Sequence, residues 1–276
     1  MLKKATLALA ASILFAASAA PLNAQNLDPR TDDFWASLNL ASRLSASVGS
    51  TFIAGNNGGD NSAFTSFLSS STAFMLFGLN FQSDSTFLYE DFNTATIKEY
   101  GSILHINRRD PTRYMYGISL AHHTYELSGT PDIDTDRIGG EAEYYRDRFT
   151  LGGAGGYIDV EGTEAWYGKL QLRYYLTDDI KVEGYYGHVD FDPAGVPDLD
   201  YGSVTGLARL PGTSASLFAQ WNGLWLDNVN VGAEAHEFKV GVKIELGNAR
   251  YNTVKHNDRT YFTDACTFEH GALSYC

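Results

Sequence analysis

The sequence predicts an all-β fold: a single antiparallel up-and-down barrel of about twelve strands (ten to fourteen) that crosses a membrane. Three observations predict it. Many segments alternate polar and apolar residues with a period of two, several are long enough to cross a bilayer, and short connections alternate with longer ones.

The clearest alternation runs through E-A-W-Y-G-K-L-Q-L-R-Y-Y-L at 164–176. Trp166, Gly168, Leu170, Leu172, Tyr174 and Leu176 share one face, and Lys169, Gln171 and Arg173 the other. After the turn Thr177-Asp178-Asp179, Ile180, Val182, Gly184 and Tyr186 lie opposite Lys181 and Glu183, so the two segments form a hairpin. Strands of soluble sheets usually have about 5–6 residues, whereas a bilayer-crossing strand needs roughly 9–11. Ala165–Leu176 meets the second requirement. Trp166 and Tyr174 are separated by about 20 Å of depth in a tilted strand, near the ~25 Å between the aromatic girdles of a membrane barrel. A soluble sheet would alternate in the same way, and the connections decide between the two.

Composition supports strands and turns over helices: 27 Gly, 17 Tyr and 16 Phe stand against 7 Pro and 3 Met in 276 residues. A mean hydropathy of −0.21 excludes a helical membrane protein, but a barrel hides its apolar residues at alternate positions. Residues 1–24 read as a cleaved signal peptide, with Lys3 and Lys4, an apolar run Ala5–Ala20 and a small residue at Ala24. Loss of the two lysines takes the formal charge from −13 to −15, which argues against nucleic acid as a partner and suits cations. Cys266 and Cys276 are the only cysteines and form a candidate disulfide in an oxidising periplasm.

Residues 25–33 are a polar lead-in. From Phe34 a first strand sets Leu38, Leu40, Leu44, Ala46 and Val48 against Ser37, Asn39, Arg43, Ser45 and Ser47, before a Gly- and Asn-rich loop at 55–62. Residues 63–81 read as a strand, although Phe74-Met75-Leu76-Phe77 is apolar on both faces, as a short buried helix would also be. A turn at Gln82–Ser85 leads to strands Thr86–Phe92 and Ile97–Asn107. Arg113–Leu127 follows, with Tyr114, Tyr116, Ile118 and Leu120 on one face, and then an acidic loop, Ser128–Asp136. Arg137–Tyr145 places Ile138, Gly140, Ala142 and Tyr144 opposite Glu141 and Glu143, and Phe149–Val160 leads to the hairpin. After a loop at Asp190–Leu199 come Asp200–Leu210, Thr213–Gly223 and Val231–Leu246. The last sets Phe238, Val240, Val242, Ile244 and Leu246 against Glu237, Lys239, Lys243 and Glu245.

Short turns at 82–85, 108–112, 146–148, 177–179 and 211–212 alternate with longer connections at 54–62, 128–136, 191–199 and 224–230, while 93–96 and 161–162 break the pattern. Short turns on one rim and longer loops on the other are the plan of barrels in the bacterial outer membrane, and an even strand number leaves both ends on the periplasmic side. Lipid offers no hydrogen bonds, so a closed sheet is required to pair every strand.

With its signal peptide, its alternating strands, an apolar last strand and segments such as G-G-E-A-E-Y-Y and L-Q-L-R-Y-Y-L-T-D-D, the chain resembles bacterial outer-membrane β-barrel proteins of the porin-like type over roughly 34–246. These motifs are generic. Such barrels commonly end on an aromatic residue closing the last strand, whereas this chain continues through a tail, 247–276, to Tyr275 and Cys276.

On this reading the lumen carries Arg43, Glu141, Glu143, Lys169, Arg173, Lys181, Glu183, Glu237, Lys239, Lys243 and Glu245. These either line a narrow pore or pair as a salt-bridged plug. Trp166, Tyr174, Tyr186 and Trp221 are assigned to the aromatic girdle. The periplasmic tail acts as a stopper at the mouth or as a contact for a periplasmic partner. Asp132, Asp134 and Asp136 do not make a calcium loop, because Arg137 stands where the sharp bend needs Gly. His122 and His123 point to opposite faces of a strand and cannot share a metal. Gly117-Ile-Ser119-Leu-Ala121 lacks the second Gly and the strand-to-helix setting of a nucleophile elbow. The sequence therefore predicts no enzyme, no metal and no cofactor. It predicts a porin-like channel through which small polar or cationic solutes diffuse passively, with outer-membrane lipid around it. The alternative is a non-conducting structural or adhesion protein that acts through its extracellular loops.

Overall fold

A computed structural model describes residues 39–55, 61–92, 95–192, 198–227 and 233–263. The signal peptide, the lead-in, Cys266 and Cys276 lie outside the described residues. Twelve strands follow one another: β1 (Ala41–Gly55), β2 (Asn61–Leu76), β3 (Leu79–Phe92), β4 (Thr96–Asp110), β5 (Tyr114–Leu127), β6 (Ile133–Arg146), β7 (Phe149–Val160), β8 (Thr163–Thr177), β9 (Ile180–Phe191), β10 (Asp198–Arg209), β11 (Ala215–Asp227) and β12 (Ala233–Gly247). Each pairs antiparallel with its neighbours in sequence, and β1 pairs with β12 from Ala41↔Gly247 to Gly55↔Ala233, which closes the barrel. No strand edge is left for lipid to face.

One rim, here the near rim, carries the start of β1, the end of β12 and the turns at 77–78, 111–113, 147–148, 178–179 and 210–214. The far rim carries the connections 128–132 and 161–162 and the opposite ends of the other strands, Phe92 and Thr96 among them.

Three expectations are corrected. The first strand begins at Ala41, because Asn39 adopts a left-handed backbone (φ 51°) that ends extended structure there. The turn expected at Gln82–Ser85 lies instead at Phe77-Gly78, both with positive φ (53° and 77°), as in a tight hairpin turn whose twist matches the strands. The apolar run 74–77 therefore lost its period because it spans a strand end and a turn tip. Gln82 and Asp84 are polar because they point into the barrel, where each is at most 2 % exposed. Finally, β6 starts at Ile133, so Asp134 and Asp136 belong to a strand, where they meet Thr124 and His122 of β5.

Alternation sorts every strand into two stripes. Leu170 (68 % exposed), Leu172, Val240, Ile118 and Ile138 stand on the outer wall, where hydrocarbon covers them. The inward stripe is buried, and most of it is polar. Among the described residues no helix is long and apolar enough to cross a membrane.

Candidate functional site

The interior holds all eleven expected lumen residues, none more than 4 % exposed. In the near half they form a continuous ionic network. Arg173 Nε donates to Glu183 at 2.6 Å and its Nη2 lies 3.6 Å from Glu143, while Lys181 lies 3.3 Å from Glu183. Arg43 faces Glu245 at 3.4 Å, and Arg209 reaches the same carboxylate at 3.0 Å. Farther in, His105 bridges Asp84 (3.0 Å) and Glu141 (2.8 Å). Glu237 is bonded by Asn222 and lies 3.2 Å from Lys239, while Thr51 donates to Glu90 at 2.7 Å and His123 meets Glu99 at 2.9 Å. Opposite charges meet here because a bilayer barrel screens its bore from bulk water, which makes an unpaired ion costly.

The tail completes this network. Gly247, with φ 63°, ends β12 and turns the chain inward through a 3-10 turn at Asn248–Tyr251. Thr253 caps the short helix α1 (Val254–Thr260) by accepting from the His256 amide. Asp258, wholly buried, accepts from Arg43 (2.8 Å), Lys181 (2.9 Å) and the Tyr175 hydroxyl (3.1 Å), so one carboxylate ties together β1, β8 and β9. Arg259 donates to the carbonyls of Asp147 (3.1 Å) and Phe149 (2.8 Å) on the opposite wall, its guanidinium over Tyr145 and Tyr175. Phe262 lies under the Arg43 guanidinium at 4.2 Å, and its carbonyl accepts from Arg109. Thr263 exchanges backbone hydrogen bonds with the Gln82 amide (2.7 and 3.1 Å). The segment 254–263 thus spans the near mouth from wall to wall, inside the barrel rim.

The far half is lined differently. Ile158, Ala165, Tyr167, Tyr185, Val189, Leu199, Tyr201, Leu224 and Ala235 form one buried cluster. Between the halves, a void beside Ser45, Phe67, Lys181 and Lys243 measures about 10 Å³, the lower limit for one water. The bore is therefore narrowed by side chains at this level.

The four aromatic residues assigned to the girdle all stand on the outer wall. Trp166 sits toward the far end of β8 and Tyr174 toward its near end. The Tyr186 hydroxyl donates to Asp200 (2.5 Å), while Trp221, midway along β11, stacks with Trp225 and His236. His122 points outward and His123 inward. No group of His, Cys, Asp and Glu among the described residues is arranged to hold a metal.

Sequence reasoning missed Asp84, Glu90, Glu99, His105 and Arg137 in the lumen and Asp258 in the plug. Parity within β3 and β4 would have found the first four, had the turn been placed at 77–78. Nothing in a seven-residue helix announces that it enters a barrel.

No protein-family model matches the sequence, and no curated protein matches it. In fold, the chain is similar to an outer-membrane channel from Pseudomonas putida F1 (TM-score 0.56, 9 % identity, 82 % of this chain and 99 % of that one). It is also similar to the NanC porin (TM-score 0.53, 7 % identity, 72 % of this chain and 98 % of that one). The likeness is one of architecture: the closed twelve-strand antiparallel sheet is the fold that these outer-membrane barrels share with this chain.

Proposed function

We propose that the protein is a gated outer-membrane channel for small polar solutes, closed in this structure by its own C-terminal segment. The near rim then faces the periplasm, and Asp136, Asp159 and Glu164 stand on the outer wall near the far rim. The observation that carries the reading is the chemistry of the stopper. It follows directly on β12, and Asp258, Arg259 and Thr263 hold it by ion pairs and hydrogen bonds that water can replace. A barrel that needed only a filled interior would gain as much from apolar packing, because buried ion pairs stabilise little beyond a hydrophobic substitute.

The test is planar-bilayer conductance of the refolded full chain and of a chain ending at Gly247. Discrete steps that enlarge or lengthen in the truncated form support the gate. The narrowed bore also favours a second reading, a non-conducting surface protein acting through its far-rim loops. Silence from both chains, each shown to be folded by heat-modifiable migration, selects that reading.

A further inference from the structure

Several interior cations are matched by acids: Arg43, Arg173, Lys181, Arg209 and Lys239 each lie within 4.0 Å of a carboxylate. Arg137 does not. Its side chain is 9 % exposed, no carboxylate among the described residues lies within ion-pair distance, and its Nε and Nη2 have no acceptor. The Tyr167 ring lies 5.4 Å from the guanidinium, and the carboxylates of Glu141 and Glu99 act on it only from beyond ion-pair distance. A buried guanidinium with no carboxylate in contact has donors to spare, and an anion would satisfy them.

The wall around Arg137 is shaped for this. Tyr167 of β8 pairs with Gly156 of β7, and Gly156 pairs with Gly139 of β6, two residues from Arg137 on the same inward face. The absence of a side chain at Gly139 lets the Tyr167 ring lie over it, and the absence of one at Gly156 leaves room for the backbone of β6. A Cβ at Gly139 would fall 1.9 Å from the Tyr167 hydroxyl. Tyr201 lies in the same way over Gly187, where a Cβ would meet the ring at 2.1 Å, and its buried hydroxyl also has no protein partner. Both rings belong to the cluster that includes Val189, Leu199 and Leu224.

We propose that Arg137, Tyr167 and Tyr201 form an oxyanion subsite in the far half of the lumen that takes the carboxylate of a small organic acid with an apolar body. The flat fork of a guanidinium matches the two oxygens of a carboxylate, and the aromatic and aliphatic side chains beside it suit an apolar body. Glu141, farther along the same face of β6, repels a second negative charge, which favours a monoanion over phosphate. The subsite deepens the channel reading by naming a solute class, and it rests on that reading only for its role in transport.

The experiment is calorimetric titration of the full chain, folded in detergent, with sodium benzoate, acetate, phosphate or chloride at matched ionic strength. Saturable binding is expected for benzoate, weaker binding for acetate, and none for chloride. Arg137→Met should abolish it, and Arg137→Lys, which keeps charge but loses the fork, should weaken it about tenfold or more. The subsite is overturned if benzoate behaves like chloride, if phosphate binds more tightly than benzoate, or if folded Arg137→Met retains the affinity. Should Arg137→Met fail to fold, the lysine variant and the anion order still decide. Binding without conductance would sink the channel and leave the subsite standing, and conductance without binding would do the reverse.

Discussion

At the near mouth a short helix fills the bore, and its Asp258 gathers Arg43, Lys181 and Tyr175. In the far half the wall from β7 to β12 is lined by one buried cluster that includes Tyr167, Tyr185, Tyr201, Leu199 and Leu224. The closure is made by a separate segment through polar contacts, whereas the apolar lining belongs to the barrel itself. A polar closure can exchange its bonds with water as it leaves, whereas an apolar one loses its burial when it opens. The near mouth is thus built to move and the far half to stay.

Four substitutions break or sharpen this contrast. Asp258→Ala leaves Arg43 and Lys181 without the acid they share, at about 3–5 kcal/mol. The plug should let go, so trypsin should cut after Lys255 and Arg259 and conductance should rise; continued protection of both sites would end the contrast. Leu199→Ala, in the wall, should lower thermal stability by about 2–4 kcal/mol with no gain in conductance. A channel that opened in response would mean that the far half is also a gate. Gly139→Ala sets a methyl against the Tyr167 hydroxyl and should cost about 1–3 kcal/mol, read as a lower unfolding midpoint. Lys98→Ala removes an exposed pair with Glu126 on the outer wall and should change stability by less than about 1 kcal/mol.

The strands were legible where one face meets lipid and the other a polar bore, as in β8 and β9, since both environments then enforce the same period. Legibility failed where that rule has no purchase. At Phe74–Phe77 the strand ends in an apolar turn, and at Gln82–Ser85 lumen polarity imitates the composition of a turn. The tail was harder still. Asn257, Asp258 and Arg259 look like a solvated helix, yet all three are buried, because the surface they meet is the polar inside of a barrel. Arg137 opened its expected strand, but only the three-dimensional census of its neighbours shows that it lacks an acid.

The seam between β1 and β12 has a consequence for biogenesis. The last strand to be translated closes the cylinder, and the segment that fills its mouth follows directly behind Gly247. Arg43, on the first strand, and Lys181, on the ninth, come into reach of Asp258 only once the circle is complete. The pocket for Asp258, with Arg43 and Lys181 as its walls, is therefore complete only when β1 and β12 are paired.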